Sequence, residues 1–220
     1  MTGEVVLDRA TQAERRFLVE SIIAAEKSGT EMLSYSSIFG LATERVEALL
    51  DTILKEDFEG QELCVSGFLV ARVNGALAGA ACSWVEGASG LASTLIKGNL
   101  LQHYLPDESL QFAQQHFSLL DRLSLGREKS AIQLESVYVR REFRGARVAG
   151  QLISRHIELG RAADPSLTKA QVILAESNAA ALGSYEKLGF RAVAKCHVDD
   201  PKILEILPSD TKILMEMALS

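Results

Sequence analysis

Hydrophobic spacing in the first quarter of the chain predicts one strand and two helical regions. Residues 4–8 favour a short strand. Thr11 and Glu14 then form a capping-box pattern at the start of the first helix, whose apolar residues recur at helical spacing. The second helical region, residues 30–56, is interrupted around Gly40. Its inward face is expected to consist of Val46, Leu49, Leu50, Ile53 and Leu54.

Two extended segments follow, residues 67–73 and 78–85, joined by the hairpin signal Asn74-Gly75. The next strand begins only at Ile132. Long connections in compact domains tend to be functional, so we expect residues 87–130 to form a helical insertion. A helix starts near Pro106 in it, and its predicted apolar face comprises Leu110, Ala113, Phe117 and Leu120.

The segment 132–150 changes character twice. It begins as a strand in which Ile132 and Leu134 share one side and Val137 and Val139 the other, so the buried face shifts by one residue. Such a shift is typical of a β-bulge, which leaves a backbone N–H without a strand partner. A basic loop containing Gly145 follows, and an amphipathic helix opens near residue 148.

The last third of the chain favours three more strands. Residues 170–175 form a short apolar run that suits a buried strand. Asn178 caps a helix that ends at Gly189. Residues 190–197 and 211–219 favour closing strands, with a loop over 198–210. The chain is therefore predicted to be a single α/β domain, residues 1–220, with a mixed sheet of six or seven strands flanked by helices.

Composition narrows the functional classes. The 220 residues are 47% hydrophobic and carry a net charge of −6, which argues against nucleic acid as the main partner. No apolar run is long enough to cross a membrane, and the first residues do not resemble a signal peptide, so we expect a cytoplasmic protein. The three cysteines and four histidines show no metal-ligand spacing, and the cysteines are expected to be buried.

The loop between strand and helix has the character of an anion site. Loop N–H groups and a helix N-terminus converge there. Arg140, Arg141, Arg144 and Arg147 add donors suited to phosphate oxygens. The alternative interpretation is a strand, an exposed basic loop and an amphipathic helix with no ligand.

Two stretches resemble motifs of the GNAT N-acetyltransferase superfamily. VYVRREFRGARVAGQLI resembles motif A: Val139 matches the strand end, Arg144 the first motif position, Gly145 the following glycine and Ala149 the last position. Arg147 stands where the family usually has glycine. The stretch ESNAAALGSYEKLGF resembles motif B, with Asn178, Ala181, Tyr185 and Gly189-Phe190 at the matching positions.

The resemblance implies a GNAT-like sheet, splayed near the bulge so that acetyl-CoA enters between two parallel strands. It implies that Val137 offers its amide to the thioester carbonyl, and that Asn178 binds the pantetheine arm. No metal is implied. The implied cofactor-binding residues are Val137, Tyr138, Val139, Arg144, Gly145, Ala146, Arg147, Val148, Ala149, Gly150, Asn178 and Tyr185.

Two catalytic residues follow from the same resemblance. Tyr185 is the candidate general acid, because a phenol is protonated at neutral pH and can give its proton to a leaving thiolate. Glu135 is the candidate general base, and alternatively it holds the acceptor ammonium or pairs with an arginine. The structural alternatives are a tyrosine packed on the sheet and, for Asn178, a helix cap alone.

The function implied is transfer of an acetyl group from acetyl-CoA to a primary amine by direct attack in a ternary complex. The expected partners are acetyl-CoA and an amine acceptor, with a homodimer as a further option. We hypothesise that residues 91–127 pack near the acceptor end of the cleft; an oligomer or scaffold helix pair is the alternative. A non-catalytic acyl-CoA-binding sensor, favoured by Arg147, and a site for another nucleotide also remain open.

Overall fold

The computed structural model describes residues 4–219. Its strands are β1 (Val5–Arg9), β2 (Phe68–Val73), β3 (Ala76–Val85), β4 (Ile132–Val139), β5 (Lys169–Ala175), β6 (Arg191–His197) and β7 (Thr211–Ala218). Its helices are α1 (Arg15–Glu26), α2 (Ser34–Phe39), α3 (Thr43–Glu56), α4 (Ser93–Tyr104), α5 (Asp107–Arg122), α6 (Val148–Ala163), α7 (Ala179–Lys187) and α8 (Ile203–Ile206).

Within residues 4–219 the strands form one seven-stranded sheet in the order β1-β2-β3-β4-β5-β7-β6. The sheet is mixed, because β4 and β5 run parallel while the other neighbours are antiparallel. The predicted α/β fold class, with a mixed sheet flanked by helices, is confirmed.

Local signals in the first part of the chain are confirmed. Thr11 accepts a hydrogen bond from Ala13 N–H, and Thr11 N–H donates to Glu14 Oε2 at 2.9 Å, which completes the capping box before α1. Asn74 and Gly75 have φ of 51° and 80°, the left-handed values that a type I′ hairpin turn requires. The helical region breaks at Gly40, which ends α2 with φ 65°.

Hydrophobic packing covers both faces of the sheet. The predicted inward face of α3 is buried throughout and packs with α1 and with Phe68 and Val70 of β2. On the opposite face, Val148 and Leu152 of α6 pack against β2 and β3. Tyr185 of α7 packs on that same side, within a cluster that includes Ile153 and residues of β4, β5 and β7.

The parallel junction between β4 and β5 is short. Only Ile132 with Ala170 and Gln133 with Gln171 are paired across it. Beyond Gln133 the two strands diverge, and backbone groups of β4 that point towards β5 have no strand partner there. The predicted splay is therefore present, and it leaves a gap in the middle of the sheet.

Three predictions about the periphery need correction. Phe117 was expected on the inward face of α5, but it is 47% exposed; the buried residues of that helix are the small Ser109 and Ala113. The segment 198–210 contains the single turn α8, too short for hydrophobic periodicity to show. Cys196 is half-buried and donates to the Arg122 carbonyl, whereas the other two cysteines are buried as predicted.

Two features, one of membrane proteins and one of metalloproteins, are absent from the described residues. In residues 4–219 no helix is long and apolar enough to cross a bilayer. The same residues contain no group of three or more His, Cys, Asp or Glu side chains arranged to hold a metal ion.

Candidate active site

A cleft of about 1520 Å³ follows the gap between β4 and β5. One part of its wall, the basic-loop end, consists of the described residues 136–150 that face the cleft together with Asn178. Another part, the charged end, consists of Glu26, Glu62, Lys97, Arg127, Glu135 and Lys212. Tyr185 lines the same cleft.

The predicted bulge lies in β4 at the edge of this cleft. Tyr138 pairs with Ala80 and Glu135 with Cys82, so Ser136 and Val137 together face the single residue Ala81. Ser136 has a φ of 51°, a conformation that few non-glycine residues adopt. The bulge changes the direction of the side chains: Glu135 pairs with an arginine of the insertion, whereas Val137 packs towards α6.

His156 supports the bulge from behind. Its ring is 5% exposed, and Nε2 lies 2.8 Å from the Ala81 carbonyl, so this nitrogen carries the proton and donates. The Ser83 hydroxyl then donates to Nδ1 at 2.7 Å. Desolvation by burial lowers the pKa of His156 to about 4.

The basic loop enters α6 through two left-handed residues. Gly145 has a φ of 88°, and no atom lies within 4 Å of where a Cβ would stand on it. Arg147 is the N-cap residue of α6 with φ 58° and ψ 21°. This is a conformation that glycine adopts freely and that costs other residues about 1 kcal/mol.

The four loop arginines divide into two pairs. Arg144 and Arg147 line the cleft, and Arg144 Nε donates to the Val139 carbonyl at 3.3 Å. Arg140 instead pairs with Glu20 at 2.6 Å. Neither Arg140 nor Arg141 belongs to the cleft wall. The expectation that all four serve an anion site is therefore too broad.

Tyr185 and Asn178 belong to one helix and face one cavity. The Asn178 side-chain oxygen accepts from Ala181 N–H at 3.2 Å, which caps α7 and leaves its amide N–H groups uncommitted. Tyr185 is 4% exposed and packs edge-to-face on Phe190, with ring centroids 5.2 Å apart. Its hydroxyl makes no hydrogen bond with another described residue. Desolvation and the nearby charge of Glu135 raise the pKa of Tyr185, so the phenol keeps its proton.

Glu135 points to the face of the sheet opposite α6. Its carboxylate accepts from Arg127 Nη2 at 2.5 Å, while Arg127 Nη1 donates to Gln133 at 3.1 Å. The Arg127 guanidinium also lies 5.0 Å from the centroid of the Trp84 ring. This contact agrees with the alternative in which Glu135 pairs with an arginine.

A second ion pair crosses the charged end. Lys97 of α4 lies 2.5 Å from Glu62, in the segment before β2, and 5.4 Å from the centroid of the Tyr35 ring. Burial alone would lower the pKa of Lys97, yet the carboxylates of Glu62 and Glu26 hold it well above its usual range. Lys97 is therefore ammonium, and its charge is balanced within the wall.

The family follows from a comparison with protein-family models. The model of the acetyltransferase (GNAT) family matches residues 35–190, more than half of the chain. The chain belongs to the GNAT acetyltransferase family. Among curated proteins no sequence matches it.

Solved GNAT structures share the fold at low sequence identity. An N-acetyltransferase from Staphylococcus aureus Mu50 superposes with a TM-score of 0.66 at 16% identity, covering 96% of this chain and 100% of that one. The Salmonella typhimurium yncA protein, solved with its cofactor acetyl-CoA, gives 0.53 at 14% identity, covering 99% and 95%. The ribosomal-protein-S18-alanine N-acetyltransferase from Escherichia coli gives 0.52 at 12% identity, with the same coverage.

The cofactor-binding and catalytic residues that the GNAT resemblance implies line the same cleft, with one exception. Ala146 is exposed and does not belong to the cleft wall. The other designated residues line it: Glu135, Val137, Tyr138, Val139, Arg144, Gly145, Arg147, Val148, Ala149, Gly150, Asn178 and Tyr185. The Tyr138 hydroxyl donates to Glu20 at 3.0 Å, so that side chain is already engaged.

The insertion of this GNAT chain reaches the charged end. Thr94 and Lys97 of α4 line the cleft, as do the residues between Leu123 and Arg127 that face it. The contact between Arg127 and Glu135 joins the insertion directly to the bulged strand. The hypothesis that residues 91–127 pack near the acceptor end of the cleft stays a prediction, and these contacts place part of the segment at the cleft wall.

Sequence reasoning missed several charged residues of this GNAT site. Glu26 is the last residue of α1 and Lys212 lies in β7, and neither belongs to a motif. Desolvation and the charges of Glu135 and Glu62 raise the pKa of Glu26. Desolvation lowers the pKa of Lys212, although Glu26 and Glu135 oppose this. The sequence around Glu26 gives no signal that marks it, because α1 also carries Arg15, Arg16 and Glu20.

Proposed function

We propose that this GNAT protein transfers the acetyl group of acetyl-CoA to a primary amine by direct attack in a ternary complex. One observation carries the proposal: a single cleft joins the basic loop, the bulge and the Tyr185 hydroxyl. These groups would supply an anion site, a backbone donor and a proton donor along one cavity.

The basic-loop end suits the phosphate groups of coenzyme A. The N-terminus of α6 and the side chains of Arg144 and Arg147 supply positive charge and donors on one side of the cleft. Asn178 has amide N–H groups free for the pantetheine arm, because only its oxygen is used by the helix cap. These features support acetyl-CoA as the cosubstrate.

The transfer step requires one proton to leave the amine and another to reach sulfur. The lone pair of the neutral amine forms the new C–N bond, and the C–S bond breaks with its electron pair on sulfur. Tyr185 gives its proton to that sulfur, and the proton that the new amide nitrogen then loses restores the Tyr185 hydroxyl. The Val137 amide, at the bulge, would donate to the acetyl oxygen as negative charge develops on it. Glu135 would stay paired with Arg127 and would not remove a proton from the amine.

Glu26 is the better candidate for the base. Its carboxylate forms no ion pair with a described residue, and its raised pKa makes it a stronger base than an ordinary glutamate. A proton accepted by Glu26 leaves the amine neutral and able to attack. This assignment replaces Glu135 as the base and keeps Glu135 as an electrostatic neighbour.

We also propose that residues 91–127 cover the acceptor side of the cleft. Lys97 and Arg127 anchor this insertion to Glu62 and Glu135, respectively, and both pairs are largely buried. Cover of this kind excludes water and strengthens the electrostatic interactions inside.

The direct test combines binding and turnover. We expect acetyl-CoA and coenzyme A, but not ATP or NAD, to raise the unfolding temperature, since a hundredfold excess over Kd adds about 2.7 kcal/mol. Amine-dependent thiol release should then follow. The variant Tyr185→Phe should lose about 100-fold in kcat with an unchanged Kd for acetyl-CoA.

Tyr104→Phe is the matched control, because Tyr104 ends α4 outside the cleft wall and should keep full activity. An unchanged rate in Tyr185→Phe at every pH would remove Tyr185 from the mechanism. Absence of any shift with acetyl-CoA would overturn the proposal.

A second candidate function is an acyl-CoA-binding sensor without turnover. The observation that favours it is Arg147, a non-glycine residue in a left-handed conformation at the loop. Tight acetyl-CoA binding without thiol release for any amine would favour this function over transfer.

A further inference from the structure

The charged end carries three acidic and three basic side chains that come from widely separated elements. Glu26 ends α1, Glu135 is in β4 and Glu62 precedes β2. Lys97 is in α4, Arg127 follows α5 and Lys212 is in β7. All six line the cleft that also contains Tyr185.

Four of these six charges neutralise one another in pairs. Lys97 binds Glu62, and Arg127 binds Glu135, each at 2.5 Å. All four of these side chains are no more than 25% exposed. Both pairs are therefore complete without a ligand, and they form part of the wall.

The two other charged side chains of this end belong to Glu26 and Lys212. Among residues 4–219, neither side chain has a hydrogen-bond or ion-pair partner, although each acts on the pKa of the other through space. Glu26 comes from the helical layer and Lys212 from the sheet, and both line the cleft, so an acidic and a basic side chain without partners face the same cavity. Burying a charge without a partner is costly, and this cost is recovered when a ligand supplies the opposite charge.

We propose that the acceptor is an amine that also carries a carboxylate, with its ammonium directed to Glu26 and its carboxylate bound by Lys212. The inference rests on the proposed acetyl transfer and specifies its substrate class. A molecule with both charges complements the two unpaired groups, whereas a polyamine would leave Lys212 facing a cation. The transfer chemistry is unchanged: the amine nitrogen attacks, and the carboxylate only orients it.

The test compares matched amines at saturating acetyl-CoA by thiol release. Each amino acid is paired with its decarboxylated amine, and an amine bearing a phosphate monoester forms the third arm. We expect kcat/KM at least about 10-fold higher for the carboxylate-bearing member, mostly through KM, as one bound charge contributes.

Substitution of Lys212 separates recognition from other roles. Lys212→Met should lower kcat/KM about 10- to 100-fold for the amino acid and change it less than about twofold for the plain amine, while Lys212→Arg should keep most of the preference. Lys195→Met is the control, because Lys195 lies on the neighbouring strand β6, exposed and outside the cleft wall. Thermal unfolding of each variant shows whether it is folded.

Several outcomes would overturn the inference. Equal kcat/KM for both members of every pair would mean that Glu26 and Lys212 serve each other through water. An equal loss for all amines in Lys212→Met would make Lys212 a base or a general positioning residue. A higher kcat/KM for the amine that bears a phosphate monoester would mean that the site recognises a phosphate and not a carboxylate.

Failure of the proposed function itself gives a different result. If acetyl-CoA binds but no amine is acetylated, calorimetric binding of the amino acids to the coenzyme A complex still reads out recognition. Binding that Lys212→Met abolishes and Lys195→Met leaves unchanged would support the carboxylate site without transfer. Absence of such binding would reject it.

Discussion

At the basic-loop end of the cleft the positioning groups come from two short stretches of chain, whereas at the charged end they come from six separate elements or loops. The bulge, the left-handed residues Gly145 and Arg147 and the helix N-terminus follow one another within residues 136–150. By contrast, Glu26 and Lys212 belong to elements near opposite ends of the chain.

The two ends also depend on different interactions. The basic-loop end is held by backbone conformation and by hydrogen bonds such as that from His156 to the Ala81 carbonyl. The charged end is held by ion pairs between side chains. The first arrangement depends on the backbone and therefore on the fold, whereas the second depends on side chains that can vary without altering the fold.

The largest expected effect is at the charged end. Arg127→Met leaves the Glu135 carboxylate without its partner and removes a hydrogen bond to Gln133, so we expect a loss of about 3 kcal/mol in the free energy of unfolding. Urea denaturation measures it. Arg155→Met breaks an exposed pair with Glu158 on α6 and should cost less than about 1 kcal/mol. Equal losses in both variants would show that the charged end behaves as ordinary surface.

A pH experiment addresses the basic-loop end. His156 is neutral in the folded protein, with a pKa of about 4, against about 6.5 when unfolded. The unfolded state therefore binds more protons between these values, and stability falls as the pH drops from about 6.5 towards 4, by up to about 3 kcal/mol.

Denaturation at several pH values measures this fall against two variants. In His156→Gln, which cannot ionise, the decline should be shallower by that amount. His103→Gln, exposed on α4, should decline as the wild type does. Parallel curves for His156→Gln and the wild type would contradict the assignment of a buried neutral ring.

Two substitutions of Asn178 separate its role as a helix cap from its proposed role in binding acetyl-CoA. Asn178→Ala removes the cap of α7 and should cost about 1 kcal/mol, while Asn178→Ser keeps a capping oxygen and should cost little. If the amide also binds the pantetheine arm, both variants weaken acetyl-CoA binding in calorimetry. Normal binding by Asn178→Ser would leave Asn178 a cap alone.

The smallest expected effect is an increase in stability. Arg147→Gly removes the left-handed strain and should stabilise the protein by roughly 0.5–1 kcal/mol. Arg144→Gly is the comparison, because φ at Arg144 is −65° and glycine gains nothing there. If Arg147 contacts phosphate, its loss should also weaken acetyl-CoA binding and reduce the salt dependence of that binding. Lower stability in Arg147→Gly would contradict the strain argument.

Sequence prediction succeeded where the cause of a feature is local. The hairpin at Asn74-Gly75, the capping box at Thr11 and the bulge before Val137 each depend on a few neighbouring residues, and each is present. Prediction failed at Phe117 because an amphipathic pattern allows steps of three or four residues, and burial decides between them.

The candidate site was predictable only in part for the same reason. Asn178 and Tyr185 share a helix, so their spacing indicates that they belong to one site. The pairing of Arg127 with Glu135 and the free charges of Glu26 and Lys212 depend on how the insertion and β7 fold against α1 and β4. Charged residues of ordinary appearance become notable only when the fold buries them together.

The short parallel junction between β4 and β5 bears on how a large ligand enters and leaves. The strands β1 to β4 and the strands β5 to β7 each form a continuous stretch of chain, and only two residue pairs join these halves along the sheet. Widening the junction therefore breaks few backbone hydrogen bonds, while the antiparallel ladders on either side stay intact. We expect amide protons at the junction to exchange with solvent faster than those of β2 and β3. We also expect the two halves of the sheet to move apart when the bulky thiol product of the proposed reaction leaves the cleft.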